Sequence, residues 1–404
     1  MLSYRLLMSL LAGRELVARF WARDWTAIRA RLGRVAPTRQ VDRIWLHAAS
    51  NGELASARPV IDALLAQGRH LLITVNTDSA LALGNGWGLE HTSVTLAPVD
   101  LPGPTRRVLR NWRITAHVTL ESDLWPIRII NTPGPVVVLG GRLTARSAKG
   151  WARFDALVRR VMARVTYLSA QDSASADRFV TAGLPKTALG PVFDLKALYT
   201  PPRDAPDRAL SQAFDRKNTW LAASTHAGEE ETILSAHKAT LPKRPNLKLI
   251  LAPRHPKRAE EIAQLIDAQG LTFARRSAGD NPAQAQVYLA DTLGEMHLWY
   301  ALAGVTFVAG SLTDRGGHTP YEPAAFQSAI LHGPDTGNFR AAYDRLADAK
   351  AAICTPDATS LCEALIAMES AEKQAAWGQT ARKVLHQDTD LTGLMHDIAR
   401  ALDA

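Results

Sequence analysis

The sequence predicts an α/β protein made of two successive halves, each a parallel sheet with helices on both faces. Three observations carry that expectation. From residue 43 onward, short apolar runs alternate with amphipathic helical stretches, which is the pattern of strand–helix–strand units. The alternation breaks once, where Pro201, Pro202 and Pro206 fall together, and then resumes. In both halves the apolar runs are followed by polar, glycine-bearing clusters, and parallel sheets bind ligands beyond the carboxyl ends of their strands. The expected organisation is a basic segment at 1–40, an α/β domain at 41–196, a linker at 197–209, and a second α/β domain with terminal helices at 210–404.

The first segment explains most of the charge. Residues 1–39 hold eight arginines against only Glu15 and Asp24, in a chain whose formal net charge is +8. Leucines, tryptophans and other apolar residues recur among them at helical spacing. The uncharged run Leu6–Gly13 is far shorter than the ~20 residues that cross a bilayer. No small-x-small cleavage site follows it. A basic amphipathic helix lying on an anionic membrane surface is the expectation. The same mixture argues against nucleic acid as the partner, because the cations alternate with leucine and tryptophan instead of lining a polar groove. With 404 residues and 47% hydrophobic side chains the chain is neither disordered nor polytopic. Cys354 and Cys362 fit no metal or disulfide pattern, which suits a reducing compartment.

In the first half, strands are expected at Arg43–His47, Leu71–Val75, Val94–Ala97, Ala116–Leu120, Val136–Leu139, Val165–Ser169 and Thr187–Leu189. The first ends in His47-Ala48-Ala49-Ser50-Asn51-Gly52-Glu53, before a helix running to about Gln67. Glu53 sits in its first turn, as an ordinary dipole-stabilised carboxylate or as a general base. The fourth strand ends in Glu121-Ser122-Asp123-Leu124-Trp125-Pro126. Asp123 has the position of a helix cap, whereas Glu121 has no such role. The fifth strand is followed by Gly140-Gly141-Arg142 and by Arg146, which would suit an acidic substrate.

In the second half, strands are expected at Thr219–Ala223, Leu247–Ala252, Leu271–Phe273, Gln286–Ala290, Val305–Ala309, Ala329–His332 and Ala351–Cys354. Ser224-Thr225-His226-Ala227-Gly228-Glu229-Glu230 follows the first and Pro253-Arg254-His255-Pro256 the second. Asp291-Thr292-Leu293-Gly294-Glu295 follows the fourth. Gly316-Gly317-His318-Thr319-Pro320-Tyr321-Glu322-Pro323 follows the fifth, with a helix expected to open near Pro320. Arginine forks and backbone N–H groups at glycine turns favour phosphate, so a nucleotide-bound donor is the expected ligand of this half.

Taken together and in this order, these clusters resemble the Kdo transferases of lipopolysaccharide assembly. The resemblance implies a GT-B fold, two Rossmann-like doubly wound domains facing across a cleft. It implies transfer of Kdo from CMP-Kdo to a lipid A precursor at the cytoplasmic face of the inner membrane, with no metal or other cofactor. It puts the general base at Glu53 and a transition-state-stabilising carboxylate at Glu121. It puts CMP contacts at Pro253, Arg254, Leu293, Gly294, Glu295, Thr319, Pro320, Tyr321 and Glu322. Arg142, His226, Gly317 and His318 are further candidates on their position alone.

The chain departs from the family pattern at Asn51, Asp123, Thr319 and Tyr321. It also has Val192 where the family carries a functional lysine just before Phe193-Asp194, leaving Lys196 or an arginine to supply that cation. Two alternative readings follow: a divergent GT-B transferase with another donor or acceptor, and a non-catalytic homologue that binds glycolipid.

Overall fold

The computed structural model describes residues 2–202, 204–386 and 391–403. Arg203, within the expected linker, and residues 387–390, within the expected terminal helices, lie outside them, as do the two end residues. The chain divides into two compact units: residues 1–198 with 389–404, and residues 199–388.

The first unit is a six-stranded sheet of β1 (Arg43–Ala48), β2 (Leu71–Val75), β3 (Thr92–Leu96), β4 (Ile114–Leu120), β5 (Val136–Gly141) and β6 (Tyr167–Ala170). Its order is β3-β2-β1-β4-β5-β6 and every pairing is parallel. Strands β1, β2 and β5 are buried along their whole length, as the apolar runs Leu71–Ile73 and Val136–Leu139 demand, and β1 carries Arg43 and His47 into that layer. The order reverses between β1 and β4, and a doubly wound sheet opens its ligand crevice at that switch point.

The second unit holds β7 (Thr219–Thr225), β8 (Lys248–Pro253), β9 (Phe273–Arg275), β10 (Val287–Leu289), β11 (Val305–Val308), β12 (Ala329–His332) and β13 (Ala352–Cys354). Their order is β13-β12-β11-β7-β8-β10-β9, again all parallel. Its switch point lies between β7 and β11.

Three expectations are corrected. Thr187–Leu189 is a 3₁₀ turn over Lys186–Ala188 that touches β6 through one bridge, Leu168 to Leu189. Pro185 starts that turn, and the segment is too short to ladder. The helix expected to run from Glu53 to Gln67 is two helices, Asn51–Ser56 and Arg58–Ala66. Pro59 lacks an N–H and its ring clashes with the preceding turn, so the helix restarts there. The last helix, Leu391–Leu402, belongs to the first unit, where Leu394, Met395 and Ile398 join the core of β1, β2 and β4. Its strongly one-sided apolar face needed a cover, and periodicity does not say which core supplies one.

The N-terminal segment forms α1 (Leu2–Trp21) and α2 (Trp25–Arg31). One stripe of α1 faces the unit: Met8 and Ala12 are buried, and the Tyr4 hydroxyl donates to the Asp100 carboxylate at 2.6 Å. Glu15 pairs with Arg31 at 2.7 Å. The opposite stripe leaves Leu6, Leu7, Leu10, Leu11, Val17, Phe20 and Trp21 exposed. Among the described residues no helix is long and apolar enough to cross a membrane.

Candidate active site

At the switch point of the first unit, the loops after β1 and β4 bring three carboxylates into electrostatic range. Ser50 caps the helix Asn51–Ser56 by accepting from the Glu53 N–H, so the Glu53 side chain leaves the first turn. Its Oε2 accepts the Ala49 N–H at 2.8 Å, folding the carboxylate back over the end of β1. Burial pushes the Glu53 carboxyl up to about 8, and the neighbouring charge of Glu121 adds to the rise. The Ala49 N–H and the Lys196 ammonium oppose it without cancelling it. A group titrating near 8 holds or takes a proton at neutral pH, whereas an ordinary first-turn glutamate cannot.

Glu121 has a left-handed backbone, φ 49°, which is uncommon for a residue with a side chain. Two hydrogen bonds hold that conformation: its N–H donates to the Leu139 carbonyl at 3.0 Å, and its own carbonyl accepts the Arg142 N–H at 3.2 Å. The turn brings the mostly buried carboxylate onto the Lys196 ammonium, with which it forms an ion pair. Asp194 accepts the Lys196 N–H at 3.0 Å and so sets the turn that delivers this lysine, while Val192 is exposed. Lys196, and not position 192, is where an ammonium meets this carboxylate.

Asp123 is not a helix cap, since Trp125 occupies the cap position of the following helix, Pro126–Asn131. Its Oδ2 accepts from His47 Nε2 at 2.9 Å, Asn76 Nδ2 at 3.0 Å and Trp125 Nε1 at 3.2 Å. Burial alone would raise this carboxyl; the His47 bond and the other donors hold it below its ordinary value. His47 is fully buried, and burial, together with the charge of Arg128, lowers it to about 4. Its Nε2 faces Asp123, and its Nδ1 lies 3.0 Å from the Thr74 carbonyl and 2.9 Å from the Thr74 hydroxyl. This group fastens the Glu121 loop to the sheet and keeps one ionised carboxylate beside Glu53. Arg142 is half-buried behind the same loop.

In the second unit the clusters after β11, β7, β8 and β10 follow four strands that are adjacent in the sheet. His226 and His318 stack with ring centroids 5.1 Å apart, their Nε2 atoms at 2.9 Å. His255 meets His226 edge-on at 5.8 Å. Burial lowers His318 to about 4, with His226 and Arg254 adding to the drop. Burial lowers His226 too, against the pull of Glu229. Two exposed cations nearby, Arg254 and Arg315, act on His226 as well. Imidazoles and arginines crowded at one sheet rim make a concentration of donors that an anion would relieve.

The glycine loop after β11 is held from below by one buried carboxylate. Glu229 accepts the N–H groups of Gly310, Ser311 and Leu312 at 2.8, 3.0 and 3.0 Å, and that of His226 at 2.9 Å. Gly317 has φ 71°, and a Cβ there would meet the Asp335 carbonyl oxygen at 2.8 Å. Of the remaining candidates, Pro253 ends β8, Leu293 is 73% exposed, and Gly294 turns with φ 87°. Glu295 is paired with Arg276 at 2.6 Å, and that bond lowers its carboxyl. Thr319 and Pro320 lead into the short helix Tyr321–Ala325. The Tyr321 side chain points into the core, where its hydroxyl accepts from Arg345 at 2.8 Å, so only its backbone remains on the rim side. Glu322 accepts a hydrogen bond from the buried Tyr300 hydroxyl.

Sequence reasoning left out Asn76 and gave no role to His47 or Glu229, which it placed only within strand-end clusters. Asn76 directly follows the apolar run of β2 at the same rim, which is the signal that could have found it. Among the described residues no group of three or more His, Cys, Asp or Glu is arranged to hold a metal ion.

Residues 26–198 match the family model described as 3-Deoxy-D-manno-octulosonic-acid transferase (kdotransferase). The chain is 33% identical over 370 residues to the 3-deoxy-D-manno-octulosonic acid transferase of Haemophilus influenzae, covering 85% of this chain and 83% of that one. It is 33% identical over 374 residues to the Bordetella pertussis protein of the same name, covering 87% and 86%. The UDP-GlcNAc 2-epimerase from Neisseria meningitidis aligns with a TM-score of 0.61 at 12% identity, over 90% of this chain and 99% of that one. That likeness is one of fold, the two Rossmann-like α/β units of the GT-B class.

Proposed function

Because this chain belongs to the 3-deoxy-D-manno-octulosonic acid (Kdo) transferase family and is a glycosyltransferase, we propose that it transfers Kdo from CMP-Kdo to a lipid A precursor, inverting the anomeric carbon and releasing CMP. The observation that carries this reading is Glu53, partly buried and raised to about 8 beside the Glu121–Lys196 ion pair. In the proposed reaction Glu53 takes the proton from the acceptor hydroxyl as its oxygen attacks the sugar. Glu121 faces the positive charge that develops on the sugar ring. On the second unit, Arg254 and the imidazole N–H groups bind the departing CMP phosphate, and Glu295 and Glu322, each already oriented by a partner, accept from the nucleotide. No metal or other cofactor enters these steps.

The direct test supplies CMP-Kdo and a lipid A precursor and measures Kdo transfer together with CMP release. Thermal shift adds a second arm, since a true ligand stabilises the fold by RT ln(1 + [L]/Kd). CMP should raise the melting temperature, and Arg254→Ala should abolish most of that rise. No transfer and no shift would exclude the reading.

Lys196 gives a further prediction. Lys196→Met leaves Glu121 mostly buried without its counter-charge and removes a cation that lowers Glu53. The transfer rate should fall about 10–100-fold, within the range for a charged group at a reacting centre. The alkaline rise of the rate should also move to higher pH, and Lys196→Arg should restore part of both.

The membrane reading rests on α1, whose exposed face carries Leu6, Leu10 and Trp21. Burying one such side chain contributes about 1.5–3 kcal/mol. Replacing all three with Gln should cut binding to anionic vesicles at least roughly tenfold. Unchanged flotation of the triple variant would remove α1 as the contact.

A further inference from the structure

A half-open apolar cleft of about 370 Å³ lies in the first unit, walled by the Glu121 loop on one side and by α1 and the helical stretch 145–162 on the others. We propose that it takes one fatty acyl chain of the acceptor; this rests on the reading of the acceptor as a lipid. Ten of its thirteen lining residues are apolar, among them Leu7, Trp125, Trp151, Leu157, Val158 and Val161. Contiguous apolar wall of this extent, open to the surface, marks a place where an apolar guest binds.

Three features select an acyl chain over another apolar guest. Apart from Tyr4, whose hydroxyl is engaged by Asp100, the polar lining is Ser122 and Asp123, both on the loop that carries Glu121. A molecule with an apolar tail and a polar head would therefore lie with its head toward the reacting groups. The cavity also shares Leu7 with the exposed apolar stripe of α1, so the chain has a continuous apolar route from a lipid surface. Finally, the lining elements carry exposed cations, Arg5, Arg153 and Arg160, which complement a phosphorylated head group.

The test uses the full chain without donor. Trp125 and Trp151 line the cavity, so a fatty acid brominated at mid-chain should quench tryptophan emission saturably. Val158→Phe, which fills the cavity, should weaken that binding at least about tenfold, a loss equal to withdrawing two methylenes at roughly fourfold each. Leu7→Gln, on a half-exposed wall where folding is not at risk, should weaken it in the same direction. Non-saturable quenching, or equal affinity in wild type and both variants, would overturn the proposal. In the transfer assay, the preference for an acylated over a deacylated acceptor should collapse in Val158→Phe. Saturable quenching sensitive to Val158, without transfer to either acceptor, would support the cavity and sink the functional reading instead.

Discussion

Glu53→Gln is expected to lower the rate of Kdo transfer by about 10²–10⁴-fold, the contribution of a positioned general base, while leaving CMP-induced stabilisation unchanged. The amide keeps the size of the carboxylate and can still accept from the Ala49 N–H through its oxygen, so the loop after β1 should hold. What is lost is the proton acceptor. In wild type the rate should climb with pH up to about 8, as the carboxylate forms, and the variant should lack that limb. Stability should move the other way. The folded state keeps a proton on Glu53 that the unfolded chain releases near 4.5, so folding loses stability as pH rises from about 4.5 through about 8. Glu53→Gln should therefore melt at or above wild type, with the gap widening toward alkaline pH. A variant as active as wild type, with the same pH profile, would end the assignment of Glu53 as base.

Glu229→Ala should produce the largest loss of stability. One buried carboxylate satisfies four backbone N–H groups, from Gly310, Ser311, Leu312 and His226. Each orphaned buried donor costs about 1–3 kcal/mol, and relaxation of the loop recovers part of the sum, so a net loss of about 3–5 kcal/mol is expected. Thermal unfolding should show the transition of the second unit falling by about 10 °C. The loop after β11 carries His318 and leads into Thr319–Glu322, so CMP binding should weaken in proportion even below the melting range. Glu229→Asp, which keeps the charge but shortens the reach, should fall between the two. A melting temperature within a degree of wild type would mean that the loop does not depend on this carboxylate.

The sheets were legible because buried parallel strands leave an unmistakable trace: Leu71–Val75 and Ala329–His332 have the expected bounds, and the other observed strands differ by one or two residues at an end. Thr187–Leu189 looked like a strand because three residues carry too little periodic information to separate a bridge from a ladder. The candidate site was legible as a list of strand ends but not as a set of partners. That Asp123 is held by His47 and Asn76 depends on which strands lie side by side, and β1 lies between β2 and β4, far apart in sequence. Lys196 was out of register with the family lysine, and only the folded turn at Asp194 brings its ammonium to Glu121. Tyr321 shows the opposite limit, since a position within a motif does not say whether the side chain turns outward or into the core.

The bond from Tyr4 to Asp100 makes the first helix more than a float. Asp100 also accepts the N–H groups of Ile127 and Arg128, at 2.9 Å each, and so orients the helix that begins where the Glu121 loop ends. A version trimmed at residue 30 to gain solubility would strip a prop from the Glu121 loop along with its greasy foot. Weak turnover by such a trimmed protein would then reflect a slackened loop as much as a missing bilayer, and point substitutions on the outer stripe are the cleaner way to separate the two.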